Sequence, residues 1–247
     1  MFSGPHRPKW MRTLGGVDNA VPRVAVTASI EASAGMAAEL VVVGLRPVAL
    51  PCVRIQQADD ADLARARASV EEADLVVLTS SRALDVLWPG GPIPDTPIAM
   101  LTPAGAARVE ERGGRVAHVG TGNPSDFTAY LIRKAAGKRV AYPHDEGVDP
   151  RIIVSLADAA EELVAVAVYG WVPLAPASDP VEAVVFESPL AVDGWIAARD
   201  LVGIVAAAIG PATAAALCRY GHGPDILVRR PHFEILAETL ASALLTG

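Results

Sequence analysis

Short apolar runs alternate with longer amphipathic stretches along nearly the whole chain. RVAVTA (23–28), RPVALPCVRI (46–55), DLVVLT (74–79), PIAML (97–101), RVAHV (115–119), KRVAYP (138–143), AVAVYGWVPL (165–174), EAVVFE (182–187), GIVAAAI (203–209) and DILV (225–228) read as strands. Helical spacing fills the intervals 31–43, 61–73, 81–88, 103–112, 149–163, 190–199 and 211–220, with a terminal helix from about 232. Gly44 stops the first of these, and Ser125 is expected to cap a further helix that runs to about Ala136. Strands that alternate with helices of this length imply parallel sheets flanked by helices, an α/β fold.

Two strands stand apart. Pro51 inside 46–55 forbids a central ladder position there, which suggests a sheet edge or a crossover, and 165–174 again meets a proline. Taken as hinge strands, they bracket a middle segment. The expected organisation is a flexible extension over 1–22, a discontinuous lobe A over 23–52 and 174–247, and a lobe B over 56–166. Ligands of open parallel sheets bind at the carboxyl ends of strands, beside helix N-termini, which would place the site in a cleft between the lobes.

The pattern also repeats. DLVVLTSSRALDVLW (74–88) matches EAVVFESPLAVDGWI (182–196) at a separation of 108 positions, and at the same separation LTPAGAARVEERG (101–113) lies on IGPATAAALCRYG (209–221). Each unit runs strand, turn, helix. The copies differ at one informative turn, T-P-A-G at 102–105 against G-P-A-T at 210–213.

Composition narrows the function. Half of the residues are hydrophobic but only 5% are aromatic, as suits sheets covered by Ala-rich helices. The net charge of −7 and the absence of a basic stripe argue against nucleic acid as a partner. No apolar run is long enough to span a membrane, and the N-terminus lacks the apolar core of a secretory signal. Cys52 and Cys218 have neither metal nor disulfide spacing, so a reducing, cytoplasmic setting is expected. The five histidines show no ligand spacing, so no metal is expected, and no Ser/His/Asp or Cys/His nucleophile pattern occurs.

What remains is anion chemistry at helix starts. In G-P-A-T, Gly210 lets a ligand approach the backbone, Pro211 occupies N1 without loss, and Thr213 near N3 offers a hydroxyl. Ser188 offers another. The set suits a carboxylate or phosphate, or else is ordinary turn-and-cap chemistry. The matching turns of lobe B are Thr79-Ser80-Ser81 and Thr102–Gly105. There Thr102 is a good N-cap that would take the Gly105 amide, one that G-P-A-T leaves free. Glu187 holds the position of Thr79 in the other copy, and its carboxylate would repel an acidic ligand unless it faces solvent or pairs with a cation. Tyr169, on the returning hinge strand, either faces the cleft or covers packing.

These segments bring a family into view. VAVT (24–27), VVLTSSRAL (76–84), VAVYGWVP (166–173), VVFESPLAV (184–192) and AAIGPATAAAL (207–217) resemble uroporphyrinogen-III synthase, over about 23–245. The resemblance implies two α/β lobes joined by a two-stranded ladder. It also implies a cofactor-free lyase of tetrapyrrole synthesis, taken here as a monomer, whose small-molecule substrate is the polycarboxylate hydroxymethylbilane. Loss of water gives an azafulvene cation, the last ring is inverted through a spiro intermediate, and the macrocycle closes. Carried over by motif, Tyr169 is the candidate proton donor to the departing hydroxyl, and the substrate contacts fall on Thr27, Ser80, Ser81, Thr102, Ser188, Gly210 and Thr213.

Three departures stand out. The family commonly has Arg where this chain has Ala28, a G-x-x-T-like turn where it has T-P-A-G, and Thr or Ser where it has Glu187. The alternative they raise is a catalytically weakened or inactive homologue that acts as a tetrapyrrole- or anion-binding or regulatory module.

Overall fold

The computed structural model describes residues 21–29, 32–230 and 232–245. In chain order its elements are β1 (Arg23–Val26), α1 (Ala34–Val42), β2 (Arg46–Ala49), β3 (Val53–Gln57), α2 (Asp60–Glu72), β4 (Leu75–Leu78), α3 (Arg82–Leu87), β5 (Ile98–Met100), α4 (Pro103–Glu111) and β6 (Val116–Val119). There follow α5 (Pro124–Ala135), β7 (Arg139–Asp145), α6 (Pro150–Ala159), β8 (Glu162–Pro173), β9 (Ala183–Phe186), α7 (Pro189–Ile196), β10 (Val205–Ile209), α8 (Pro211–Arg219), β11 (Ile226–Val228) and α9 (Phe233–Leu245).

The chain divides into two compact units. Unit 1 holds the described residues up to Arg54 and those from Trp171, and unit 2 is Ile55–Gly170. Unit 1 is built on a sheet ordered β2-β1-β9-β10-β11, in which every neighbouring pair is parallel. The sheet of unit 2 is ordered β3-β8-β7-β4-β5-β6, and its pairs from β8 to β6 are parallel as well. The α/β class and the parallel sheets are therefore as the sequence pattern implies.

The repeat is visible in this topology. The order β2-β1-β9-β10-β11 of unit 1 corresponds to β8-β7-β4-β5-β6 of unit 2, so KRVAYP plays in one sheet the part that RVAVTA plays in the other. Alternating side chains send each strand into two cores. In unit 1, Val24, Val26, Ala183, Val185 and Ala207 pack with α1 and α9, whereas Ala25, Val184, Phe186, Ala206 and Ala208 pack with α7 and α8. Unit 2 divides in the same way between α2, α3 and α4 on one face and α5 and α6 on the other.

Where elements depart from the sequence pattern, backbone chemistry explains it. The expected single strand 46–55 is two strands, β2 and β3, edge strands of different sheets and separated at Leu50-Pro51-Cys52. Proline lacks the N–H a ladder needs, so the chain changes sheets there. The cap of α5 is Asn123, whose side chain accepts from the amides of Ser125 and Asp126, because Pro124 already holds N1; the expected Ser125 cap is corrected accordingly. The first helix begins at Ala34, and residue 31, its expected start, lies outside the described residues, as do residues 1–20 of the expected extension. β8 starts at Glu162, earlier than its apolar run suggests, because its long pairing with β7 carries the charged end.

Candidate anion-binding site at the strand carboxyl ends

In unit 1, β1 is followed by α1 on one face of the sheet and β9 by α7 on the other. Adjacent parallel strands whose connections leave in opposite directions open a crevice at their carboxyl ends, the usual ligand position of doubly wound sheets. Thr27, Ala28, Glu187 and Ser188 follow those two strand ends. In unit 2 the same reversal falls between β7 and β4, followed by α6 and α3.

The β10–α8 turn of unit 1 explains its glycine. Gly210, the N-cap of α8, has φ 84° and ψ 154°, a region that only glycine enters at little cost. An added Cβ would meet nothing within 4 Å, so conformation, not crowding, demands glycine here. The Gly210 amide donates to Val228 O at 2.7 Å, Pro211 at N1 has no amide, and the Ala212 and Thr213 amides have no partner among the described residues. Thr213 is 2% exposed, and its hydroxyl likewise makes no hydrogen bond among the described residues. Two unpaired amides at a helix start, with a hydroxyl beside them, are anion donors.

The matching turn of unit 2 is closed as its sequence implies. Thr102, the N-cap of α4, accepts the Gly105 amide at 3.1 Å. A Cβ at Gly105 would stand 2.6 Å from Met100 Sδ, so Met100 fills the space that an N3 side chain would need. At the matching place in unit 1 the residue is Ala208. The exchange of Thr and Gly is thus accompanied by an exchange of Met for Ala beneath it. The capping threonine keeps its own O–H as a donor, since a cap uses only an oxygen lone pair.

Ser188 caps α7 in the same manner, accepting the Ala191 amide at 3.2 Å. Before it, Glu187 is partly buried, with Oε1 shielded from solvent and unpartnered among the described residues. Burial raises this carboxyl to a pKa of about 7. Thr27 is fully buried and its hydroxyl donates to Val185 O at 2.7 Å, which ties β1 to β9 and withholds the group from a ligand. Gly210, Thr213 and Ser188 thus lie at the carboxyl ends of the neighbouring strands β9 and β10, and Thr27 follows β1 beside them.

In unit 2, Ser80 Oγ accepts the Arg82 amide at 3.2 Å, and Ser80 lies close enough to the Tyr169 phenol to act on its proton affinity. Tyr169 is 4% exposed and stands opposite Asp145 in the β7–β8 register. Burial first, and the Asp145 charge with it, raise the phenol pKa, while Ser80 and Arg82 act the other way, so Tyr169 keeps its proton at neutral pH. Its contacts include the core of unit 2, so the packing role is also filled. Ser81, the N-cap of α3, makes no side-chain cap. Tyr142, which the sequence did not single out, lies in the same region, beside Thr79 of the expected turn. The Tyr142 hydroxyl is buried without a hydrogen-bond partner among the described residues, and that burial raises its pKa to about 12, with nearby Thr79 acting the other way. The signal for the burial of Tyr142 is the unbroken run 140–143, which the structure buries on both faces of the sheet.

Surface concavities lie elsewhere, one lined by Gly90, Arg108 and Arg112 and one by Gly203, His222 and Asp225. None of the expected contact residues lines them. Among the described residues no three His, Cys, Asp or Glu side chains gather as a metal site, and no helix is long and apolar enough to cross a membrane.

Comparison with known proteins bears on this arrangement. Uroporphyrinogen-III synthetase from Helicobacter pylori has 15% sequence identity and a TM-score of 0.58, with 91% of this chain and 100% of that chain covered. A mutant uroporphyrinogen III synthase from the extremely thermophilic bacterium Thermus thermophilus has 18% identity and a TM-score of 0.47, with 92% and 100% covered. At these identities the likeness to the first shows the fold. No curated protein matches. The family model described as uroporphyrinogen-III synthase HemD matches residues 34–238. Since that match takes in most of both units, the chain belongs to the uroporphyrinogen-III synthase family.

Proposed function

We propose that this chain is a lyase that cyclises hydroxymethylbilane with loss of water and inversion of ring D. The observation that carries the reading is the family match across 34–238. The site chemistry supports it. Both sheets end in hydroxyl and amide donors, as a polycarboxylate requires, and the reaction calls for one held geometry more than for a nucleophile. Ser188, Gly210 and Thr213 in unit 1, and Ser80, Ser81 and Thr102 in unit 2, bind substrate carboxylates, with Thr27 as their buried support. Tyr169, kept protonated by its burial, donates to the departing hydroxyl. The enzyme works without a cofactor, as a cytoplasmic monomer, and takes neither nucleic acid nor membrane as a partner.

The test is to supply hydroxymethylbilane and separate the type I and type III products. Type III is expected. Type I alone, formed at the uncatalysed rate, would overturn the reading.

A further inference from the structure

Among the described residues, the partly buried Glu187 is the one with a carboxyl oxygen, Oε1, that is shielded from water and lacks a hydrogen-bond partner. Its place in the fold is specific. It follows β9 at the carboxyl edge of the sheet, where the helix connections of β1 and β9 leave on opposite faces. Continuing the β1–β9 and β9–β10 registers by one or two residues sets Ala28 on one side of it and Ile209 on the other. The next residue, Ser188, caps α7, and Gly210 opens α8 beyond Ile209.

Among the described residues, the elements packed around it bring no counter-charge. Arg23 is at the far end of β1, paired with Asp179 at 3.1 Å. β10 carries no charged residue. Asp193 of α7 and Arg219 of α8 pair with each other at 3.6 Å, and Arg199 lies over the Trp195 ring. Glu39 on α1 and Glu234 and Glu238 on α9 belong to helices of the opposite face. An ionised carboxylate here would be desolvated and unpaired beside the donors proposed to hold an anion. A protonated one would instead add a donor to them.

We propose that Glu187 stands at this edge as a neutral carboxylic acid that donates a hydrogen bond to a substrate carboxylate, and so makes ligand binding proton-linked. The proposal rests on the synthase reading for the identity of the ligand. It converts a charge of the wrong sign into a recognition group, because an acid–carboxylate pair shares one proton and one negative charge. Burial alone acts on the Glu187 carboxyl and places its pKa at about 7, so the group changes state within the physiological range.

The probe is uroporphyrin III, the stable oxidised form of the type III product, with binding followed by fluorescence between pH 6 and 9. Wild-type affinity is expected to fall about tenfold per pH unit above 7, with about one proton taken up per ligand bound at pH 8. E187Q, whose amide still donates, is expected to bind with little pH dependence and without that uptake. Binding that weakens equally in both proteins would overturn the proposal and leave the synthase reading standing. Failure of the wild-type protein to bind uroporphyrin at any pH would overturn the proposal, whereas the synthase reading stands or falls on the type I and type III product assay. Carboxyl-carbon NMR of the wild-type protein needs no variant that must fold: a Glu187 signal that titrates near the ordinary 4.5 would sink the proposal whatever the ligand does.

Discussion

A carboxyl group that faces water repels an acidic ligand; the same group in apolar surroundings keeps its proton. Glu187 is of the second kind, and this has a stability consequence separate from any ligand. Its folded pKa, about 7, lies above the ordinary 4.5. Below 4.5 both folded and unfolded chains carry the proton and nothing is lost. Between 4.5 and 7 the unfolded chain releases it first, so wild-type stability falls as pH rises, then levels off. The loss is on the order of 1–2 kcal/mol after allowance for partial exposure. E187Q should therefore gain on wild type across that interval in denaturant midpoints, and an unchanging difference would contradict the buried, unpaired carboxyl. Tyr169 invites a kinetic test: Tyr169→Phe should lower kcat for type III formation by about tenfold, near the roughly 1.5 kcal/mol of one hydrogen bond to a developing charge, with the fold unchanged by circular dichroism. The residue types at these positions were legible in the sequence; their surroundings were not. Nothing in EAVVFESP shows that Glu187 Oε1 has no partner among the described residues, and nothing in VAVT shows that the Thr27 hydroxyl goes to Val185 O. The second depends on a partner 158 positions away in the chain, and the first on every element packed around the strand end.

Turns and strands were read more easily, because their signals are local. The apolar tetrads, the prolines at helix starts and the Thr102 cap are properties of a few neighbouring residues. The cap of α5 was missed because two good capping residues flank Pro124 and only the position of the proline decides between them. The compensation beneath the two turns is different: comparing the copies reveals Met100 against Ala208, but the meaning needs the 2.6 Å approach to Gly105. From it follows a coupled prediction. Gly105→Thr should cost about 1–3 kcal/mol by overpacking against Met100, and Met100→Ala about 2–5 kcal/mol by leaving a cavity. The double variant should be more stable than the sum of the two losses by about 1 kcal/mol or more, measured by a double-mutant cycle in urea. Additive losses would mean that the two side chains do not share that space. For the same reason, copying G-P-A-T into unit 2 requires Met100→Ala as a third change.

At the scale of the molecule, each core belongs to one unit, with its own sheet and its own covering helices. Residues 55–170 are contiguous and hold both cores of unit 2. Expressed alone, this segment should unfold cooperatively, with coincident far-UV and fluorescence transitions; a non-cooperative melt would show that its stability depends on unit 1.

Unit 1 cannot be finished in the order in which it is made. Its β1 must wait for β9, a partner roughly 160 residues downstream, and closing so long a loop carries an entropic penalty that grows with the logarithm of its length. If the intervening segment has already condensed, the slack to be gathered shrinks to about 45 residues, which eases closure by roughly 1 kcal/mol. On the ribosome that segment emerges whole before β9 does. The guest therefore folds before its host, and a mutation that slows the guest should delay the host's β1–β9 pairing even if it touches no residue of unit 1.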